Sequence, residues 1–122
     1  MTGINFHAAV QHFHQATGAA IHQPVTPQLL DLRRTLIHEE AHELTAALHA
    51  GDVVNAIKEA ADVLYVVHGT AVSFGWDLDG AFLAVHKSNM SKLVDGKALL
   101  REDGKVLKGP NYHAPDLRRF LP

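Results

Sequence analysis

Apolar residues recur at helical spacing through the first three quarters of the chain, and Gly, Pro and Asp cut that pattern into segments. A first short helix runs from about Asn5 to Thr17, with Gly18 as its stop signal. Pro24 marks an extended stretch. A second helix follows from about Thr26 to His49, with Thr26 as N-cap and Pro27 at the first helical position. Gly51-Asp52 ends that helix and begins the next. The third helix covers Val53 to about Phe74 and stops at Gly75. Asp77 or Asp79 caps a fourth, which runs to about Leu93. The connections are short, so neighbouring helices should lie antiparallel.

After Asp95-Gly96 the pattern changes. The stretch KALLREDGKVLKG sets Asp103-Gly104 between two short apolar runs, a hairpin signal. Pro110 and Pro115 frame a loop, and Asp116 to Leu121 form a last helical turn. No internal repeat or low-complexity segment occurs. The expected fold is all-α: a small bundle of four main helices with a C-terminal hairpin flap. It is read as one domain over 1–122, with its core over about 26–93 and the flap over about 95–122.

The polar positions that interrupt the apolar stripes carry the chemistry. At 100° per residue, with Leu29 set at zero, Leu32, Leu36 and Ala47 fall within about 60° and form the inward stripe of the second helix. Glu40 and Glu43 fall inside that stripe, and Glu39 sits at its edge. The third helix is apolar on nearly all sides, so it is expected to be buried on most of them. Glu59 and Asp62 nonetheless sit in it as i, i+3 neighbours. Two antiparallel helices joined by a short turn bring Glu40 and Glu43 near Glu59 and Asp62. Lys58 can pair with one carboxylate but is badly placed to neutralise them all. Converging carboxylates repel, and divalent cations resolve the repulsion. Ligation by oxygen alone favours Mg2+ or Mn2+ over zinc.

A competing reading lies in the same residues. His38-Glu39-Glu40-Ala41-His42 matches H-E-x-x-H, the zinc-hydrolase pattern. On the wheel His38 and His42 point roughly 130° or more from the stripe's centre, beside Arg34 and Thr45. Glu59, the available third ligand, lies on the wrong face for them. The extended form of the motif also fails, because Thr45 and Leu48 stand where Gly and His are required. The zinc reading is therefore set aside.

Composition narrows the classes. The chain has 122 residues and 47% hydrophobic content, so it can bury a core. Its formal net charge of -2 gives no bulk attraction to nucleic acid or membrane. Absence of cysteine removes disulfides, Cys-based zinc sites and thiol catalysis, and suits a cytoplasmic protein. MTGINFHAAVQHF shows no basic n-region followed by a long apolar run, so no signal peptide is expected. Lys58, Glu59 and Asp62 interrupt the most apolar segment and argue against a membrane span. The ten histidines are read as scattered surface residues.

Glu39-Glu40-x-x-Glu43 followed by Glu59-x-x-Asp62 resembles the EExxE…ExxD signature of the all-α nucleoside triphosphate pyrophosphohydrolases. That superfamily includes MazG, the dimeric dUTPases, the dCTP pyrophosphatases and phosphoribosyl-ATP pyrophosphohydrolase. The resemblance covers roughly Leu29 to Leu93. Phe13-His14-Gln15-Ala16-x-Gly18, Val85 to Lys92 and Asp103 to Lys108 are similar to the dUTP-acting MazG-like proteins of the Deinococcus group. The short link from Glu43 to Glu59 departs from that subgroup, which carries an insertion there.

The resemblance implies hydrolysis of the α–β phosphoanhydride of a nucleoside triphosphate, giving monophosphate and pyrophosphate. It implies Mg2+, with Mn2+ as substitute, held by Glu39, Glu40, Glu43, Glu59 and Asp62. It implies Glu40 as general base, with Glu39 next in line. Asn89, Lys92 and Lys87 are candidate phosphate or sugar contacts, Lys105 and Lys108 can close over the phosphates, and Phe13 can stack on a base. It also implies a homodimer or a tetramer, which the apolar third helix independently calls for. Removal of dUTP or a related nucleotide is the leading expectation. Phosphoribosyl-ATP hydrolysis is the second enzymatic reading, and a helical metal-binding or interaction module is the non-enzymatic one.

Overall fold

Local capping sets where each helix starts. A computed structural model of the protein describes residues 3–122. Its helices are α1 (Phe6–Thr17), α2 (Pro27–Ala50), α3 (Val53–Phe74) and α4 (Leu78–Met90). Asn5, Thr26, Asp52 and Asp77 cap them, each accepting a backbone N–H from three residues on. Gly51 closes α2 with φ 70°, a conformation that a side chain resists. The next residue, Asp52, already caps α3. The α2–α3 turn is therefore as short as it can be, and it fixes the register of the two helices. The all-α expectation holds. The one sheet among the described residues is a two-stranded hairpin, β1 (Leu99–Leu100) with β2 (Val106–Leu107).

The chain forms two compact units, one reaching to Trp76 and one spanning Asp77–Pro122. In the first, α2 packs along α3, and α1 packs on α3. The last turns of α3, His68 to Phe74, are buried throughout and form the centre of the core with Val10, Ala47 and Ala56. The extended segment after α1 runs along the end of α3. There His22 and Gln23 donate to the carbonyls of Val72 and Ser73 at 2.9 and 2.7 Å, which satisfies two terminal carbonyls of the helix.

A polar junction joins all three helices of this unit. Arg33 is buried on the inward stripe of α2. Its Nε donates to Thr70 Oγ1 at 3.1 Å and its Nη2 to the Val66 carbonyl at 2.8 Å. Burial lowers its pKa below the usual guanidinium value. The imidazole of His14 lies 2.9 Å from the Ala20 carbonyl through Nδ1. Gly69 of α3 backs onto both side chains.

Two expectations about burial need correction. Leu32, placed on the inward stripe, is exposed, because the stripe centres on Arg33, Leu36, Glu40 and Ala47 and leaves Leu32 at its margin. The third helix is not buried on most sides either. Val53, Val54 and Ile57 are 69%, 81% and 68% exposed, because only the C-terminal turns of α3 are enclosed.

In the second unit, β1 and β2 pair antiparallel with Leu99 opposite Leu107 and Leu100 opposite Val106. Arg101 forms an ion pair with Asp103 across the turn, which raises the Arg101 pKa and lowers that of Asp103. Gly104 completes the turn with φ 89°. α4 stops at Met90, three residues before the expected end. Ser91 Oγ donates to the Ser88 carbonyl at 2.6 Å and accepts the His113 N–H at 3.0 Å, so the chain is tied to the C-terminal loop there. The last turn is a short 3-10 helix, Arg118–Phe120, whose Phe120 carbonyl accepts the Asp77 N–H at 2.9 Å.

Candidate active site

The Gly51 turn folds α3 back along α2, and this brings acids far apart in sequence face to face. Glu40 and Glu43 of α2 and Glu59 of α3 each present a carboxylate oxygen, and these atoms all lie within 4.8 Å of one another. Glu59 is only 4% exposed, Glu40 is half-buried and Glu43 is exposed. Glu40 Oε2 and Glu59 Oε2 are buried and accept no hydrogen bond from the described residues. A buried carboxylate oxygen without a donor is unfavourable unless something else neutralises it.

The electrostatics point the same way. Burial, then the charges of Glu43, Asp62 and Glu59, raises the Glu40 pKa above its ordinary value. Hydrogen bonding to Glu59, with that group's charge, raises the Glu43 pKa. The local cation is Lys58. Its Nζ lies 2.9 Å from Asp62 Oδ2 and 3.1 Å from Glu59 Oε1. Those contacts push the lysine pKa well above its usual value. The sequence suggested that Lys58 pairs with one carboxylate, whereas it reaches two, through the i+1 and i+4 positions.

An open trough of about 480 Å3 adjoins the acids, lined by Ala46, Ala47 and Ala50 together with Glu43, Asp52, Asn55 and Glu59. The acids supply only oxygen donors, clustered on two rigid helices, with two buried oxygens lacking a partner. That set fits a hard divalent cation such as Mg2+ or Mn2+.

The remaining sequence candidates fall elsewhere. Glu39 is exposed, as are His38 and His42, whose outward direction matches the wheel. Phe13 packs edge-on against Tyr65 of α3 with ring centroids 5.6 Å apart. Lys87 and Asn89 lie on α4, and Lys92 follows it. Lys105 precedes β2, and Lys108 holds its ammonium 4.8 Å from the centre of the Tyr112 ring. Lys87, Asn89, Lys92, Lys105 and Lys108 all belong to the second unit, whereas the acids belong to the first.

Sequence reasoning missed Arg33, His14 and the alanine trough. The signal for Arg33 was its place on the same stripe as Glu40, seven residues on.

The comparison that decides the family runs from the first residue of α1 to the last turn of α4. The family model for phosphoribosyl-ATP pyrophosphohydrolase matches residues 6–89, more than half of the chain. The chain belongs to the phosphoribosyl-ATP pyrophosphohydrolase family. It is thus a nucleotide pyrophosphohydrolase by kind, a hydrolase of phosphoric anhydrides in a divalent-metal-dependent family. The match gives no support to the dUTP-acting Deinococcus subgroup. It includes Glu40, Glu43, Glu59, Asp62, Lys87 and Asn89, and it stops before Lys92 and the hairpin. A search of curated proteins finds no match. Among the described residues, no helix is long and apolar enough to cross a membrane.

Proposed function

We propose that the protein is a Mg2+-dependent pyrophosphohydrolase that cleaves the α–β phosphoanhydride of a nucleotide, giving the monophosphate and pyrophosphate. One observation carries this reading: two buried carboxylate oxygens without partners, at a three-acid convergence on α2 and α3. Glu40, Glu43 and Glu59 hold the cation, with Asp62 as the further acid on the same face of α3. A divalent cation there supplies the positive charge that lets an acidic wall accept a polyphosphate and stabilises charge developing in the transition state.

Glu40 is the general base in this reading. It keeps one carboxylate oxygen for the cation and the other to orient and deprotonate the attacking water. Glu39, exposed one residue away, is the second candidate for that role and an outer metal contact. By the resemblance, Lys87, Asn89, Lys92, Lys105 and Lys108 are the proposed phosphate or sugar contacts and Phe13 the proposed base contact. The enzyme works in the cytoplasm, as a homodimer or a tetramer; the exposed apolar residues of α3 support the association.

Two substrates enter this reading. The family match favours phosphoribosyl-ATP. The sequence resemblance of the N-terminal and tail stretches to dUTP-acting MazG-like proteins is the reason for testing dUTP or a related nucleotide beside it. Incubation with phosphoribosyl-ATP and a panel of nucleoside triphosphates, in Mg2+ and with pyrophosphate detection, separates them. Orthophosphate as the sole product, or no turnover of any nucleotide even with Mn2+, would sink the proposal.

A further inference from the structure

The acidic site already contains a cation of its own. Lys58 Nζ sits 2.9 Å from Asp62 and 3.1 Å from Glu59, so one ammonium spans two of the four acids. Its side chain is 65% exposed, while that of Glu59 is 6% exposed and that of Asp62 is 35% exposed. The acids are fixed on a helix and the ammonium is on a flexible stem that can leave. Asp62 is the acid that does not join the convergence of Glu40, Glu43 and Glu59, and it is also the acid with the shortest ion pair to Lys58.

We propose that Lys58 is a placeholder cation: it holds Glu59 and Asp62 in the metal-free protein and must be displaced before a divalent ion takes all four acids. This rests on the metal-site reading above. A single ammonium leaves the cluster mostly uncompensated, since Glu40 Oε2 and Glu59 Oε2 still lack partners. A doubly charged ion outcompetes it, whereas a monovalent ion gains nothing over the lysine. Lys58 thereby sets the divalent-ion concentration at which the site loads. It is a positioning residue, acting through the carboxylates it releases.

The sign of the expected effect separates this role from a structural one. If Lys58 merely braced the site, its loss would weaken metal binding. As a competitor, its loss tightens it. Mn2+ titration calorimetry without nucleotide, on wild type, K58M, K58Q and K58R, reads this directly. K58M and K58Q should bind Mn2+ about tenfold more tightly than wild type at low salt, with the gap narrowing as salt is added. K58R keeps the charge and should stay near wild type. Equal or weaker Mn2+ binding by both neutral variants overturns the placeholder role while leaving the metal site intact. No Mn2+ binding by any of the four proteins overturns the metal-site reading and this inference together.

Discussion

Arg33 on α2 donates through Nη2 to the main-chain carbonyl of Val66 on α3, 2.8 Å away, and so ties the two helices that carry the acids. One turn further along α3, Gly69 lies against the same guanidinium. A Cβ there would overlap Arg33 Nη2 and stand 3.0 Å from His14 Nε2. Gly69→Ala should therefore destabilise the protein by about 1–3 kcal/mol, the usual penalty of overpacking a core. Urea unfolding measures it. In an Arg33→Met background the same alanine should cost less, because the main obstacle is gone. Equal penalties in both backgrounds would show that the guanidinium is not what excludes a side chain at position 69.

Glu40→Gln tests base and cluster at once. Glutamine keeps the shape and removes one charge from a group of mutually repelling acids. Pyrophosphate release should fall by about 10²- to 10⁴-fold, the range expected for a lost general base. The metal-free variant should meanwhile melt a few degrees higher than wild type in EDTA, since one source of repulsion is removed. Full turnover in the variant would remove Glu40 from the base role.

How much of this was readable in sequence depends on how local each cause is. Thr26-Pro27 and Gly51-Asp52 marked helix ends correctly, because caps act within four residues. The approach of Glu40 and Glu43 to Glu59 was readable because the intervening turn is so short that two helical wheels determine which faces meet. Arg33 was not readable. Its partners Val66 and Thr70 lie 33 and 37 residues away, and a charge on a core stripe looks like an exception until those acceptors are seen. Neither was the exposure of Val54 and Ile57, since an apolar helix does not declare which side its own chain leaves bare.

The acids also predict how the metal-free protein responds to pH. Glu40 and Glu43 have pKa values raised above the ordinary 4.5. Between that value and the raised one, the folded state binds more protons than the unfolded state. Stability then falls as pH rises through this interval, with the loss complete above the raised pKa. Melting temperature in EDTA should be higher just above pH 5 than at pH 7.5. Saturating Mg2+ binds the ionised carboxylates, so it should erase or reverse the trend. A metal-free melting temperature that rises steadily over this range would contradict the raised values.

The bare side of α3 makes the last prediction. Val54, Ile57, Ala61 and Leu64 follow one another at three, four and three residues, the spacing of a helix–helix seam. Val54, Ile57 and Leu64 are 81%, 68% and 50% exposed in the single chain. Fully burying an isoleucine side chain is worth about 1.5–3 kcal/mol, and a two-fold dimer buries each residue twice. Ile57→Asp would remove that gain from both protomers and set two carboxylates at the seam. Sedimentation velocity should show wild type as a dimer at micromolar concentration, with Ile57→Asp weakening association by about a thousandfold. The variant should still bind Mn2+ if the acids of one protomer suffice, because position 57 lies outside the acidic convergence. A wild-type protein that sediments as a monomer at tens of micromolar would refute the dimer and leave the stripe on α3 without a partner of its own kind.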